Sequence, residues 1–395
     1  MAELDNGDRA QHGYNAKDSL EQIIKDCLSK AYIKDYEKGY RCGYVDYDDS
    51  QFFCNFLITF TDDSKWIINI TTFLRDRVKM QQWDCYHIKK IDKAITKSIL
   101  TYPDDIKLDE LDAFQAYRLK ILNHVHYSAI DDVVCQRELY ELIQDYGTRN
   151  LSNGQKKDLI GNDFETTIAS ILSNRENFEK WISNDRIKVG VQYNFFEKIV
   201  DFFKLDKNKI KGIKATSDKN IIGNLESSGM PKTDVIVYVY YKDENKDIEH
   251  FTISCKKTNE KAVSVHQYNA DAFADVLNPE DKELRNLLNK FQVYGNLRDF
   301  GENNKELLTQ ALKPYMKKLI RWVLGGFGGK NKTELQLANY ILISDDSNIF
   351  IHTIDEYTDE LLKPENVAHF GTPFGWTYAS GRKGKDIQLK CKIIK

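Results

Sequence analysis

The pattern of apolar positions is clearest at 235–241, where β-branched and aromatic residues follow one another without interruption. Such a run is typical of a buried strand. The polar stretch 242–247 favours a turn, and a second strand is predicted at about 250–256. A hairpin centred on Asn245 would place Asp234 opposite Lys256 and bring the ends of both strands together.

The first part of the chain predicts a separate α+β domain at 1–147. Residues 1–15 are polar and are expected to be disordered. Helices are predicted at 19–36, 83–100, 108–124 and 129–146, and strands at 51–61 and 66–72. Small and polar residues then favour a linker at 148–154.

The second domain is expected to span 155–395 and to mix helices with strands. Helices are predicted at 158–182, 187–205, 264–276, 281–294, 305–324 and 356–362, and further strands at 338–343 and 349–354. The fold class is therefore α/β (α+β) for the whole chain of 395 residues.

Charge excludes one class of function for the chain as a whole. The net charge of −3 does not suit a protein that is basic throughout and coats nucleic acid. A local patch remains, because residues 371–395 carry six basic side chains against one acidic side chain. The seven cysteines form no metal-binding spacing and predict free thiols in a reducing compartment. No signal peptide or membrane span is recognisable, so a cytoplasmic protein without a membrane partner is expected.

The candidate chemistry lies at the open end of the predicted hairpin. Side chains alternate along a strand, so Ser254 and Lys256 share a face on which Asp234 can meet them. A carboxylate suits Mg²⁺, and a lysine can position or deprotonate a water molecule. This combination predicts metal-assisted phosphodiester hydrolysis. Alternatively, the charges are merely solvated ends of two strands.

Four stretches resemble a known family. They are 228–234 (SGMPKTD), 263–268 (VSVHQY), 314–322 (PYMKKLIRW) and 370–381 (FGTPFGWTYASG). They are similar to type II restriction endonucleases of the MspI kind, and the resemblance covers about 155–395. It implies a PD-(D/E)xK nuclease core, in which a mixed central sheet is flanked by helices, with residues 1–147 as an accessory domain.

The resemblance assigns roles to the residues of the hairpin. Asp234 matches the metal-binding aspartate, and Lys256 matches the catalytic lysine. Ser254 stands where the fold usually has Glu, or Asn or Gln in the MspI group, so direct coordination of a metal by Ser254 is in doubt. Glu165 matches a helix-borne glutamate pattern and is expected to supply a second metal-binding carboxylate, or else to lie on a solvated helix face.

The resemblance also implies that the C-terminal segment contacts double-stranded DNA in the major groove. The positions matching base contacts have side chains that can donate to or accept from base edges: Thr377, Ser380, Gln388 and Lys390. Further basic residues are expected to contact phosphates or neighbouring DNA: Arg382, Lys383, Lys385, Lys257, Lys261 and Lys232. The alternative for this segment is a solvated basic tail.

Two other features lead to separate expectations. His266 is predicted to lie on a helix, as a packed or surface residue rather than a DNA contact. In the first domain, basic and aromatic residues hint at a second DNA-binding surface: Arg75, Arg77, Lys79, Lys89, Lys90, Trp83 and Tyr86.

The leading hypothesis is a Mg²⁺-dependent type II restriction endonuclease. The resemblance implies a short palindromic site containing G·C pairs, with CCGG as the first candidate. A monomer or a homodimer on DNA is expected, with a cognate DNA methyltransferase as genetic partner. One alternative is a nuclease fold that binds DNA without cutting it, which Ser254 favours. Another is a nicking or repair endonuclease for mismatched or modified DNA.

Overall fold

The computed structural model describes residues 6–44, 51–72, 77–104, 129–151, 153–226, 230–257, 262–344, 348–379 and 381–394. The chain divides into two compact units. Unit 1 comprises 1–158 and 171–208, and unit 2 comprises 159–170 and 209–395. The predicted helix at 108–124 lies outside the described residues.

The described residues of unit 1 form seven strands and five whole helices, together with the two ends of a sixth helix. The strands are β1 Asp35–Lys38, β2 Arg41–Cys42, β3 Phe52–Phe53, β4 Phe56–Thr59, β5 Lys65–Ile70, β6 Ile95–Tyr102 and β7 Asp132–Cys135. The helices are α1 Asn6–Ser29, α2 Arg77–Ile91, α3 Gln136–Gly147, α4 Asn153–Ser173, α5 Arg175–Ser183 and α6 Tyr193–Phe202. The middle of α4, from Leu159 to Ser170, belongs to unit 2.

A five-stranded sheet in the order β1-β4-β5-β6-β7 forms the centre of unit 1. Strands β5, β6 and β7 run parallel. Successive residues alternate between two apolar clusters: Ile68 packs with α1 and α3, while Ile67 packs with α2. Both faces of the sheet are therefore covered, as parallel strands require.

This burial explains the incorrect predictions for unit 1. The predicted helix 83–100 is α2 followed by β6, and the predicted helix 129–146 is β7 followed by α3. A strand buried on both faces shows no alternation, so its apolar run cannot be told from a helix by periodicity. Residues 6–15, which were expected to be disordered, form the first turns of α1.

The division into units also differs from the predicted one. The predicted linker 148–154 includes the first residues of α4, and residues 171–208 belong to unit 1. Two hydrogen bonds from α1 show why: Asn15 Nδ2 donates to Ile187 O over 2.8 Å, and Ser19 Oγ donates to Gly190 O over 3.4 Å. These contacts join segments more than 170 positions apart, which no local pattern predicts.

The basic residues of the first domain have local partners where they are described. Lys89 is paired with Asp131, and Lys90 lies over the Tyr86 ring at 4.3 Å from its centroid. Arg75 and the side chains of Arg77 and Lys79 lie outside the described part of the chain.

The described part of unit 2 forms two sheets. Its strands are β8 Ile210–Thr216, β9 Val235–Tyr241, β10 Glu249–Lys257, β11 Ala262–Tyr268, β12 Tyr340–Ser344, β13 Ile349–Thr353, β14 Phe374–Thr377 and β15 Ile387–Lys392. The central sheet has the order β13-β12-β10-β9-β8 and is mixed, because only β10 and β12 pair in parallel. The second sheet, called the C-terminal sheet, has the order β11-β15-β14.

The helices of unit 2 besides α4 are α7 Lys219–Ile222, α8 Ala270–Leu277, α9 Lys282–Tyr294, α10 Leu297–Phe300, α11 Glu302–Leu312, α12 Met316–Gly325 and α13 Ile354–Leu361. Residues from α8, α9, α11, α12, α13 and the C-terminal sheet share one buried apolar cluster. The predicted helix 305–324 is divided into α11 and α12 at Pro314, which has no backbone N–H to donate. The predicted helix 264–276 is also wrong, since 262–268 is β11 and α8 begins after its N-cap, Asn269.

Other predictions about strands and cysteines are confirmed. Strand β9 has the predicted bounds, and β12 and β13 lie where strands were predicted. The seven cysteines all lie in the described residues, and they form no disulfide. Within the described ranges, no helix is long and apolar enough to cross a membrane.

Candidate active site

The hairpin of β9 and β10 brings Asp234, Ser254 and Lys256 together. Val235 pairs with Ile253, and the Asp234 N–H donates to Ile253 O over 2.8 Å, which places Asp234 opposite Ser254. The ladder is therefore centred on residue 244 and not on Asn245 as predicted. The error shifts the pairing by two residues, so it leaves the three side chains on the predicted face.

The turn of the hairpin explains this register. The Asp243 carbonyl accepts a hydrogen bond from the Lys246 N–H over 3.1 Å, and its carboxylate accepts one from the Asn245 N–H over 3.0 Å. An aspartate that bonds to the backbone two residues later is a common turn device. The turn thus begins at Asp243, earlier than a symmetric loop around Asn245 would require.

One oxygen of Asp234 accepts three hydrogen bonds. Oδ2 receives the Cys255 N–H at 2.7 Å, the Lys256 ammonium at 2.9 Å and the Ser254 hydroxyl at 3.2 Å. None of these donors uses Oδ1. The Asp234 and Lys256 side chains are only 17% and 20% exposed. The carboxylate is therefore held in one orientation, with its second oxygen directed away from these donors.

Glu165 on α4 is the second carboxylate of the site. It lines a cavity of about 190 Å³ together with Lys219 and Asp234. Burial, and then the charge of Asp234, raises the pKa of Glu165 to about 7, while Lys256 and Lys219 oppose the shift. The structure thus places Glu165 in the same cavity as Asp234, although the two carboxylates are far apart in sequence.

Lys256 carries its charge in this site. Burial lowers the pKa of Lys256, but attraction to Asp234 and the hydrogen bond between them outweigh burial, so the pKa is raised above its ordinary value. At neutral pH the side chain is an ammonium group. It is thus suited to orient a nucleophile or stabilise negative charge, rather than to act as a base.

The donor set fits a divalent cation bound jointly with a phosphate. Two carboxylates, from Asp234 and Glu165, face one cavity and repel each other when both are charged. In the described residues there is no cluster of three or more His, Cys, Asp or Glu side chains that could hold a metal alone. Mg²⁺ commonly binds through one or two carboxylates, with water and substrate phosphate completing its shell.

Lys232 does not lie where a DNA contact is expected. Its ammonium donates to Val265 O over 2.6 Å. Burial, and then repulsion from the Lys256 charge, lowers the pKa of Lys232 to about 7. Attraction from Asp234 opposes this shift. The ammonium is thus bonded to a backbone carbonyl, and the structure does not present Lys232 as a phosphate contact.

The outward face of the C-terminal sheet carries the predicted base contacts that are described. Thr377 pairs with Gln388, and Lys390 lies two residues further along β15 on the same face. Gln267 of β11 pairs with Gln388, and Ser264 pairs with Lys390. The sequence did not predict Gln267 and Ser264 as members of this face, because 264–276 was predicted to be a helix. The signal for a strand was the alternation of apolar and polar residues at 263–266.

The loop between β14 and β15 carries the predicted phosphate contacts. Lys383 and Lys385 are exposed. Arg382 Nε instead donates to Asp386 Oδ2 over 2.6 Å, and Gln267 Nε2 donates to the same oxygen over 2.9 Å. Lys257 ends β10, while Ser380 and Lys261 lie outside the described residues.

His266 is a packed residue, as expected, but it lies on β11 and not on a helix. It is buried against the rings of Trp322, Tyr268 and Phe273, at centroid distances of 4.1, 4.6 and 5.4 Å. This aromatic surrounding lowers the pKa of His266 through burial, and the nearby Lys232 charge lowers it further.

Comparisons with known proteins identify a family for the chain. The family model described as restriction endonuclease MspI matches residues 139–391. Type II restriction enzyme BsuFI from Bacillus subtilis is 27% identical over 404 aligned residues, which cover 98% of both chains. Type II restriction enzyme MspI from Moraxella sp is 26% identical over 263 residues, or 64% of this chain and 98% of that enzyme.

A solved structure is also similar. It is the crystal structure of restriction endonuclease MspI in complex with its cognate DNA, with a TM-score of 0.52 and 25% identity over 64% of this chain and 98% of that one. The similarity to BsuFI covers 98% of the chain and therefore extends into the first 147 residues, which lay outside the resemblance recognised from motifs. The chain belongs to the MspI family of restriction endonucleases and is a type II, DNA-cleaving enzyme.

Proposed function

We propose that the chain is a Mg²⁺-dependent endonuclease that hydrolyses both strands of DNA at a short palindromic site containing G·C pairs, with CCGG as the first candidate. Its catalytic core is of the PD-(D/E)xK type. The observation that carries the proposal is the convergence of Cys255, Ser254 and Lys256 on one oxygen of Asp234, with Glu165 across the same cavity.

Each residue has a distinct part in the proposed reaction. Asp234 and Glu165 would hold the cation, which, when bound, supplies Lewis-acid stabilisation of charge on the phosphate. The Cys255 N–H and the Ser254 hydroxyl hold Asp234 through Oδ2, which leaves Oδ1 clear of these two donors. The Lys256 ammonium orients the attacking water and stabilises the negative charge that develops as one P–O bond of the backbone breaks.

The C-terminal sheet would supply sequence recognition. Thr377, Gln388 and Lys390 present groups that can donate to or accept from base edges, and Lys donation to guanine O6 and N7 is a common specific contact. Lys383 and Lys385 would bind phosphates, which contributes affinity and register but no sequence information. Ser380, Lys257 and Lys261 remain proposed contacts from the resemblance alone.

The biological setting follows from this activity. A protein that cuts unmodified DNA at a short site requires protection of the host's own sites, so a cognate DNA methyltransferase is the proposed genetic partner. The enzyme would act on foreign DNA in the cytoplasm. Binding as a monomer or as a homodimer is left to measurement of the mass of the complex with DNA.

Plasmid cleavage tests the proposal. The wild-type chain with Mg²⁺ should produce discrete fragments whose mapped ends share one short sequence, and EDTA should stop the reaction. Asp234→Ala should be inactive, whereas Asp247→Asn, at an exposed aspartate in the same hairpin, should behave as wild type. Random fragments, or full cleavage by Asp234→Ala, would refute the proposal.

Two outcomes of the same experiment would select other functions. Tight, site-specific binding in Ca²⁺ with no cleavage in Mg²⁺ or Mn²⁺ would indicate a DNA-binding protein with a nuclease fold. Cleavage restricted to one strand, or to mismatched or methylated DNA, would indicate a nicking or repair enzyme.

A further inference from the structure

Lys232 is held at both ends of its side chain. It lies two residues before Asp234, and its ammonium donates to Val265 O over 2.6 Å. Its stem passes Gly326 at the end of α12, where an added Cβ would lie 3.3 Å from Lys232 Cγ. A positive φ of 81° at Gly326 independently favours glycine there. The side chain is therefore fixed between α12 and β11.

The acceptor of this bond belongs to a β-bulge. In the ladder between β11 and β15, Ser264 pairs with Lys390 and His266 pairs with Leu389, so Val265 is left out of the register. A bulge residue loses its ladder partner. Because Val265 is buried, with 6% exposure, its carbonyl needs a hydrogen-bond partner inside the protein. Lys232 provides that partner.

The bulge decides which side chains of β11 face outward. In a regular strand Ser264 and Gln267 would point to opposite faces, because they are three positions apart. Here both are exposed, while Val265 and His266 between them are buried. Ser264 and Gln267 consequently share the face of Lys390 and Gln388, their partners on β15. The bond from Lys232 thus supports the outward face of the C-terminal sheet.

The same lysine is connected to the catalytic carboxylate. Between them lies only Thr233, which is 3% exposed, and the Asp234 N–H is fixed to Ile253 O. Thr233 and the backbone of Asp234 therefore have little freedom to move. A buried or hydrogen-bonded backbone segment does not shift without disturbing its neighbours. A displacement of the bulge would therefore move the loop that carries Asp234.

We propose that Lys232 is a positioning residue that couples base recognition by the C-terminal sheet to cleavage at Asp234. The inference rests on the proposed function of both sites. A correct sequence keeps the bulge in place and Asp234 in its cleaving position. A wrong base pair displaces β11 and, through the bond between Lys232 and Val265, misplaces the catalytic carboxylate.

The test separates binding, cleavage and discrimination. Lys232→Met keeps the apolar stem and removes the ammonium. Equilibrium binding is measured in Ca²⁺, and single-turnover cleavage in Mg²⁺, on a cognate duplex and on one with a single changed base pair. The wild-type chain and Lys282→Met, at an exposed lysine on α9, serve as controls.

Loss of the coupling bond should affect cleavage more than binding. We expect Lys232→Met to bind the cognate duplex within about threefold of wild type and to cleave it about thirtyfold more slowly. The ratio of cleavage rates between cognate and altered duplexes should fall by about tenfold. Lys232→Gln, with a shorter donor, should show smaller losses in the same two quantities, and it decides the question if Lys232→Met does not fold.

Other results would overturn the inference. Equal loss of affinity for cognate and unrelated DNA, with a weaker salt dependence, would make Lys232 a phosphate contact. Cleavage and discrimination like those of wild type in the folded variants would exclude coupling. Failure of the proposed function itself looks different, because the wild-type chain would then show no cleavage at a defined site.

Discussion

The Lys256 ammonium lies 2.9 Å from Asp234 Oδ2, in a site where both side chains are largely buried. Each charge compensates the other, so removing one leaves the second in a poorly solvated position. The same pair is proposed to act in catalysis. Measurements of stability and measurements of cleavage therefore test the pair independently.

Lys256→Met should abolish cleavage and also change how the protein responds to cations. In EDTA the variant should unfold with a free energy lower by about 1–3 kcal/mol, because Asp234 loses its partner. Ca²⁺ should stabilise the variant more than the wild-type chain, since the cation can take over the compensation of Asp234. Thermal unfolding in EDTA and in Ca²⁺ measures both effects. An identical Ca²⁺ effect in the two proteins would contradict cation binding at Asp234.

Ser254→Ala tests what the serine does in place of the usual carboxylate or amide. Its hydroxyl donates to Asp234 over 3.2 Å, and a hydrogen bond of this kind contributes about 1 kcal/mol. We therefore expect the single-turnover rate in Mg²⁺ to fall by less than about tenfold. A loss on the order of a thousandfold would instead show that Ser254 holds the cation directly.

Glu165→Gln should change the pH dependence of stability. Burial and Asp234 raise the pKa of Glu165 from 4.5 to about 7, so the folded state retains a proton that the unfolded state has released in this interval. The wild-type chain in EDTA therefore loses stability from Glu165 as the pH rises from 4.5 to about 7.

The variant has no such ionisation. The free energy of unfolding of Glu165→Gln minus that of wild type should be smallest below pH 4.5. It should increase up to about pH 7 and then level off. Chemical denaturation at a series of pH values in EDTA provides the measurement. A difference in the free energy of unfolding that stays constant across this interval would mean that the pKa of Glu165 is not raised. It would also weaken the assignment of Glu165 to a place beside Asp234.

Gln388→Ala and Lys385→Ala should separate sequence recognition from general affinity. Gln388 lies in the outward row between Gln267 and Thr377, so its loss should relax discrimination at one base pair by about 1–3 kcal/mol. Lys385 is exposed in the adjoining loop, and its loss should weaken binding to all duplexes and reduce the salt slope by about one. Competition binding against a set of single-substitution duplexes distinguishes the two, and equal behaviour of both variants would argue against this division.

The sequence by itself determined the hairpin and the face on which its polar residues meet. Residues 235–241 form a strand because β-branched and aromatic side chains favour it locally. The alternation of side chains then placed Asp234 with Ser254 and Lys256 despite a two-residue error in register, because a shift by two preserves the face. The motif stretches likewise identified the family without any tertiary information.

The tertiary structure alone decided how distant segments complete the site. Glu165 reaches Asp234 from α4, the Lys232 ammonium turns inward to Val265, and β11 forms where a helix was predicted. Each outcome depends on hydrogen bonding or burial between segments well separated in sequence. Such contacts leave little trace in local periodicity, because a buried strand and a buried helix present the same apolar run until their partners are known.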